Sequence, residues 1–131
     1  MNDVLEDLII YDDIEHVDFE IVHDLLSKSY WAKDRSLALI KKSIENSLSV
    51  SVYHKGSQVA FARVVTDKAC FAWICDVIVH ENYRGKGIGK AMLAFIQSHS
   101  EIPESMQLLR MNDAHKLYEN FGFTDNVCMT K

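Results

Sequence analysis

"YRGKGIGKA", residues 83–91, puts three glycines and three cations into nine positions. Glycine costs conformational entropy on folding and cations rarely bury, so neither residue type builds a core. The stretch follows "CFAWICDVIV" (70–79), a run of strand-forming residues. It leads into Ile88, Met92, Phe95 and Ile96, spaced i, i+4, i+7 and i+8 as on an amphipathic helix. A strand-to-helix turn here aims free backbone N–H groups and the positive end of a helix dipole at one spot. Gly85, Gly87 and Gly89 let a ligand approach the backbone, while Arg84, Lys86 and Lys90 add charge that suits phosphate oxygens. A phosphate-bearing ligand is therefore the physical expectation.

Working outward, "LIIY" (8–11) reads as a first strand. Residues 18–31 place Phe19, Val22, Leu25 and Leu26 at helical spacing, with Asp18 as N-cap. Residues 34–47 repeat the pattern with Leu37, Ile40 and Ile44 on one face. "LSVSVYHKG" and "SQVAFARVVTD" flank Lys55-Gly56, a hairpin signal, and "CFAWICDVIV" is the next strand. Beyond the glycine stretch, "MQLLRM" is a strand. "NDAHKLYENFG" is a helix started by Asn112 and stopped by Gly122. A last strand is expected over 123–131. The predicted order β-α-α-β-β-β-α-β-α-β makes a mixed α/β fold, and no linker or repeat divides residues 1–131 into more than one domain.

Composition narrows the function classes. Forty-eight per cent apolar and 25% charged residues fit an ordinary globular protein, and no apolar run is long enough to span a bilayer. No signal peptide is readable, and three cysteines without a CxxC pair point to a reduced, cytoplasmic setting. The net charge of -5 argues against nucleic acid and, weakly, for a cationic partner. Six histidines fall on separate predicted elements without an HxxxH or HxH pair, so no metal site is expected. A monomer or a homodimer is equally compatible with these features.

Spacing decides which phosphate ligand the loop suits. The dinucleotide fingerprint GxGxxG needs glycine where Lys90 stands, and the P-loop GxxxxGK[ST] needs glycine at Arg84 and Ser or Thr at Ala91. Both fail. What matches is [RQ]-x-x-G-x-[GA], as Arg84-Gly85-Lys86-Gly87-Ile88-Gly89. This resembles the acyl-CoA pyrophosphate loop of the GNAT family of N-acetyltransferases. "LYENFGF" (117–123) resembles the family's late helix-and-strand signature, and "QVAFARVVTD" (58–67) its third strand. The resemblance implies a GNAT fold and acetyl-CoA as co-substrate. The acceptor it implies is a small-molecule or peptide amine, attacking the thioester directly. An acyl-CoA-binding sensor with little turnover is the rival reading.

The resemblance also assigns roles. The family's strand before the loop carries a bulge whose backbone binds the pantetheine arm, at Ile78 and Val79 here. Tyr118 stands where the family has a general acid for the CoA thiolate. Equally, Ala114, Leu117, Tyr118 and Phe121 form a helical stripe, which would make Tyr118 a core residue. Asp76, two residues before Ile78, shares its face of the strand and interrupts an apolar run. It is read either as the base, acting through water, or as a structural partner of Arg63 or the backbone. The acidic residue that many relatives carry one position earlier is Cys75 here, and Met111 replaces a polar cofactor contact that Asn112 is left to supply. Tyr30, Trp31 and Arg35 lie between the first two helices, a region that overhangs the acceptor cleft in the family.

Overall fold

The apolar runs in the middle of the chain pair as an antiparallel meander, and everything else packs around it. The computed structural model describes residues 4–104, 106–110, 115–125 and 129–131. Its elements are β1 (Leu8–Tyr11), α1 (Phe19–Ser27), α2 (Leu37–Glu45), β2 (Leu48–His54) and β3 (Ser57–Thr66). These are followed by β4 (Ala72–Val79), α3 (Ile88–Ser98), β5 (Gln107–Leu109) and α4 (His115–Glu119). The sheet runs β1-β2-β3-β4-β5, antiparallel except for the parallel pair β4–β5. Parallel neighbours need a long crossover, and α3 provides it.

Both faces of the sheet are covered. Val50, Val52, Ala60, Ala62, Val64 and Ile74 pack with Ile88, Met92, Leu93 and Ile96 of α3. On the other face Phe61 and Ile78 meet Val22, Leu25 and Leu26 of α1 and Ile40 and Ile44 of α2. Burying a side chain such as Phe61, which is wholly inaccessible, stabilises the fold by about 1.5–3 kcal/mol. Among the described residues no helix is long and apolar enough to cross a membrane.

The helices begin where their caps dictate. Asp18 accepts from the Ile21 N–H and Ser36 from the Leu39 N–H, each satisfying an otherwise orphaned donor. The first helix ends earlier than its spacing predicts, at Ser27 rather than near residue 31. Ser29 is the reason. Its Oγ donates to the Leu26 carbonyl and accepts from the Ala32 N–H, replacing helical bonds by a local turn. That turn frees Tyr30, Trp31 and Arg35 to form a loop above the sheet. The expected last strand is not seen in the described part of its range: residues 123–125 and 129–131 belong to no strand, and 126–128 lie outside the described residues.

Candidate active site

Strand β4 changes its pairing halfway along. Up to Ile74 it is held on both sides, by β3 and by β5. Beyond Ile74 no strand among the described residues pairs with Cys75 to Val79 on the β5 side. On the β3 side, Cys75 pairs with Arg63 and Ile78 with Phe61, which leaves one extra residue in β4 opposite Ala62. This is a β-bulge. Asp76 sits in it with φ 53, in the left-handed region that Asp and Asn tolerate better than most residues. The bulge resets the alternation: Ala72 and Ile74 face α3, whereas Asp76 and Ile78 face the α1–α2 side.

The end of β4 feeds the glycine loop. Arg84 Nε donates to the Val79 carbonyl at 3.0 Å, folding the loop back onto the strand. Gly85 and Gly87 hold φ values of 74 and 88, which L side chains rarely adopt. Ile88 is buried in the α3 core and pins the helix start, so only its backbone can serve a ligand. The first helical bond runs from the Ala91 N–H to the Gly87 carbonyl. The six consecutive amides of residues 85–90 donate to no acceptor among the described residues. Lys86 and Lys90 are exposed beside them. Amides without a described acceptor, a helix N-terminus and two ammonium groups in one loop are groups that suit an anion.

Two contacts flank the loop. Leu117 of α4 lies against Gly89, 3.5 Å from where a Cβ would stand, which puts α4 beside the loop. Leu5, from a short 3-10 turn before β1, lies 3.4 Å from the equivalent point on Gly87. Leu5 was not among the residues the sequence singled out; its only signal is an apolar pair, Val4-Leu5, in an acidic stretch. Tyr118 follows Leu117 and is 8% exposed, with its ring edge-on to Phe123 at 6.1 Å. It also lines a hollow of about 920 Å³ along β5 and α4, whose walls include Trp73, Leu109 and Phe121 but no residue of 74–96. Asn112 and Met111 lie outside the described residues.

The residues predicted for the base and the acceptor site come together on one carboxylate. Asp76 Oδ2 accepts from Arg35 Nη1 at 2.8 Å and from Arg63 Nε at 2.9 Å. Its Oδ1 accepts from Trp31 Nε1 at 3.0 Å. Arg63 Nη1 also donates to Ser47 Oγ at 3.2 Å. Tyr30 makes no bond to Asp76 and packs edge-on against Trp31, with ring centroids 5.0 Å apart. Burial alone would raise the Asp76 pKa. The hydrogen bonds and charges of Arg63 and Arg35 outweigh burial and hold the carboxyl below its ordinary range. A carboxylate so stabilised in its charged form is a weak base. Beside it, burial pushes the Cys75 thiol up, with Arg63 and Arg35 pulling the other way. A thiol held protonated is a poor nucleophile. Among the described residues no group of three or more His, Cys, Asp or Glu side chains could hold a metal.

The chain as a whole is similar to known proteins. Residues 45–125 match the family described as acetyltransferase (GNAT) domain. The chain belongs to the GNAT acetyltransferase family. A GNAT-family protein from Xanthomonas campestris pv. campestris is 35% identical in sequence and superposes with a TM-score of 0.90, over 95% of this chain and 92% of that one. The uncharacterized N-acetyltransferase ycf52 of Gracilaria tenuistipitata var. liui is 27% identical over 115 residues, 82% of this chain and 63% of that protein. Its namesake in Pyropia yezoensis is 32% identical over 101 residues, 71% of this chain and 57% of that protein. The chain therefore spans less than two thirds of the length of these curated relatives.

Proposed function

We propose that this chain, acting as one domain, is an N-acetyltransferase that moves an acetyl group from acetyl-CoA to a primary amine by direct attack. The observation that carries the reading is the run of six amides at 85–90 that meet no acceptor among the described residues, close to a stretch of β4, Cys75 to Val79, that no described strand pairs on its β5 side. Acetyl-CoA, when bound, supplies an acetyl group activated as a thioester. The amides of the loop, with Lys86 and Lys90, suit its pyrophosphate, and the backbone of Ile78 and Val79 suits the pantetheine arm. Direct attack is favoured over a covalent relay because the Cys75 thiol is held protonated.

The amine must lose its proton, since an alkylammonium has no lone pair to attack with. Two arginines share one carboxylate here, so the cluster carries net positive charge and disfavours a second cation beside it. In this reading the neutral amine is selected on binding and its proton leaves to water. Asp76 positions Arg35, Arg63 and Trp31 rather than accepting that proton. Tyr118 is assigned the proton that the departing thiolate takes up; the contact of its neighbour Leu117 with Gly89 supports the assignment. The overall test is a thiol-release assay with acetyl-CoA and a broad amine panel, with CoA binding read separately by thermal shift. Binding without release from any amine would favour a sensor over an enzyme.

Tyr118→Phe separates the two roles open to Tyr118. The variant keeps the ring and its packing, so stability should change by no more than about 1–2 kcal/mol. Turnover should fall roughly ten- to a thousand-fold, the range of a lost proton donor, with CoA affinity little changed. Unchanged turnover would make Tyr118 a core residue and leave the thiolate to solvent.

A further inference from the structure

The charge on the Asp76 cluster is opposite in sign to the charge on the whole chain. The chain carries -5, which by itself suggests a cationic partner. At the cluster, Asp76 supplies one negative charge and Arg35 and Arg63 two positive ones. No other carboxylate among the described residues forms an ion pair with either arginine. These side chains are 3%, 27% and 13% exposed respectively, so water screens the excess charge only in part. Arg35 is the outermost of the three.

Donor arithmetic points the same way. A guanidinium has five N–H donors in a planar fork. The Arg63 side chain spends two of its nitrogens on Asp76 and Ser47. The Arg35 side chain makes one bond, from Nη1 to Asp76, and its other donors meet no acceptor among the described residues. Its geometry is that of a single-point contact that leaves most of the fork free, and a planar fork is suited to two oxygens of one anion. Next to it the aromatic pair Tyr30 and Trp31 is exposed, 57% and 41%, over the same loop.

We infer that the acceptor is a primary amine carrying an anionic group of its own, a carboxylate or a phosphate, which Arg35 receives at the mouth of the Asp76 cluster. The inference rests on the acetyl-transfer reading and narrows its substrate class. Asp76 is the bulge residue of β4 and fixes the guanidinium from below. The anion would therefore be held on the α1–α2 side, with the amine directed towards Cys75 to Val79 of β4. Arg35 is then a specificity residue for the acceptor.

The test uses matched pairs in the thiol-release assay, compared at equal concentrations of free amine. β-Alanine against β-alaninamide and phenylalanine against phenylalaninamide probe the carboxylate; phosphoethanolamine against ethanolamine probes the phosphate. In one of these arms the anionic member should exceed its neutral partner about 10- to 100-fold in kcat/KM, the scale of a charge-assisted contact. Which arm shows it identifies the anion. Arg35→Gln should bring that ratio close to one through KM, and Arg35→Lys, with the charge but not the fork, should restore it in part. A CoA thermal shift retained in both variants shows that they fold. Neutral partners acetylated as fast as the anionic ones, or a ratio untouched by Arg35→Gln, would overturn the inference and leave acetyl transfer standing. Silence from every pair also overturns it, and the broad amine panel then decides the transfer itself.

Discussion

Gly87→Val is expected to abolish CoA binding while the chain still folds. In the wild type, CoA is expected to bind the folded state alone and to raise the melting temperature by mass action; at a concentration of 100 Kd this would amount to about 2.7 kcal/mol. Gly87 caps α3 at φ 88, where a β-branched residue is strained by about 1–2 kcal/mol. A Cβ there would stand 3.4 Å from Leu5 Cδ1, at the near edge of ordinary contact with a side-chain tip, so the backbone conformation is what chiefly opposes the substitution. Relief of that strain re-aims the amides on either side of residue 87, which are the proposed pyrophosphate donors. Affinity should fall about 100-fold or more, as expected when several charge-assisted contacts are lost together. Thermal shift and calorimetry with CoA measure both quantities. Normal CoA affinity in a folded Gly87→Val protein would move the pyrophosphate site elsewhere. Gly85→Ala makes a control: its Cβ meets nothing within 4 Å, so only the backbone preference at φ 74 opposes it.

What was legible in the sequence is what local chemistry encodes. The glycine turn into α3 at 84–90 could be read because glycine spacing, flanking cations and the adjoining helical period all lie within a dozen residues. The strand-helix order from Leu8 to Glu119 followed from periodicity in the same way. Helix ends were less legible, because the Ser29 turn competes with helix through one hydroxyl that spacing rules ignore. The bulge at Asp76 left no mark in the apolar alternation of 72–79 and came only through resemblance. The cluster around Asp76 was half visible. Arg63 was foreseen as a partner, whereas Trp31 and Arg35 reach the same carboxylate from 45 and 41 residues away. Such long-range convergence is set by how α1 and α2 dock on the sheet, and no window of sequence contains it. The global charge does not describe the site for the same reason: 19 acidic and 14 basic residues sum to a negative sign, whereas two arginines face one carboxylate at the cluster.

Asp76→Asn is expected to cost stability first and to change activity without changing its pH profile. Asparagine tolerates the left-handed backbone at φ 53 as aspartate does, so the bulge itself survives the substitution. What is lost is the charge that two partly buried guanidinium groups share, and removing one partner of a buried ion pair costs about 3–5 kcal/mol. For a chain of this size that corresponds to a fall in Tm of roughly 10–20 °C. The sign of the pH dependence follows from the lowered pKa. The folded-state carboxyl titrates below its ordinary value of 3.8, so its contribution is complete above about pH 4–5 and is lost as pH falls through the lowered folded value. The gap in stability between wild type and Asp76→Asn should therefore be constant from pH 5 to 8 and close in stronger acid. Turnover, measured below the variant's Tm, should drop by a similar factor at pH 6, 7.5 and 9 if, as proposed, the residue positions Arg35 and Trp31 and takes no proton. A general base would behave otherwise: its loss is felt most at pH 6–7 and fades near pH 9–10, where more of the amine is already neutral. A deficit that narrows as pH rises, in a variant whose Tm is unchanged, would return Asp76 to the proton path and remove it from the scaffold.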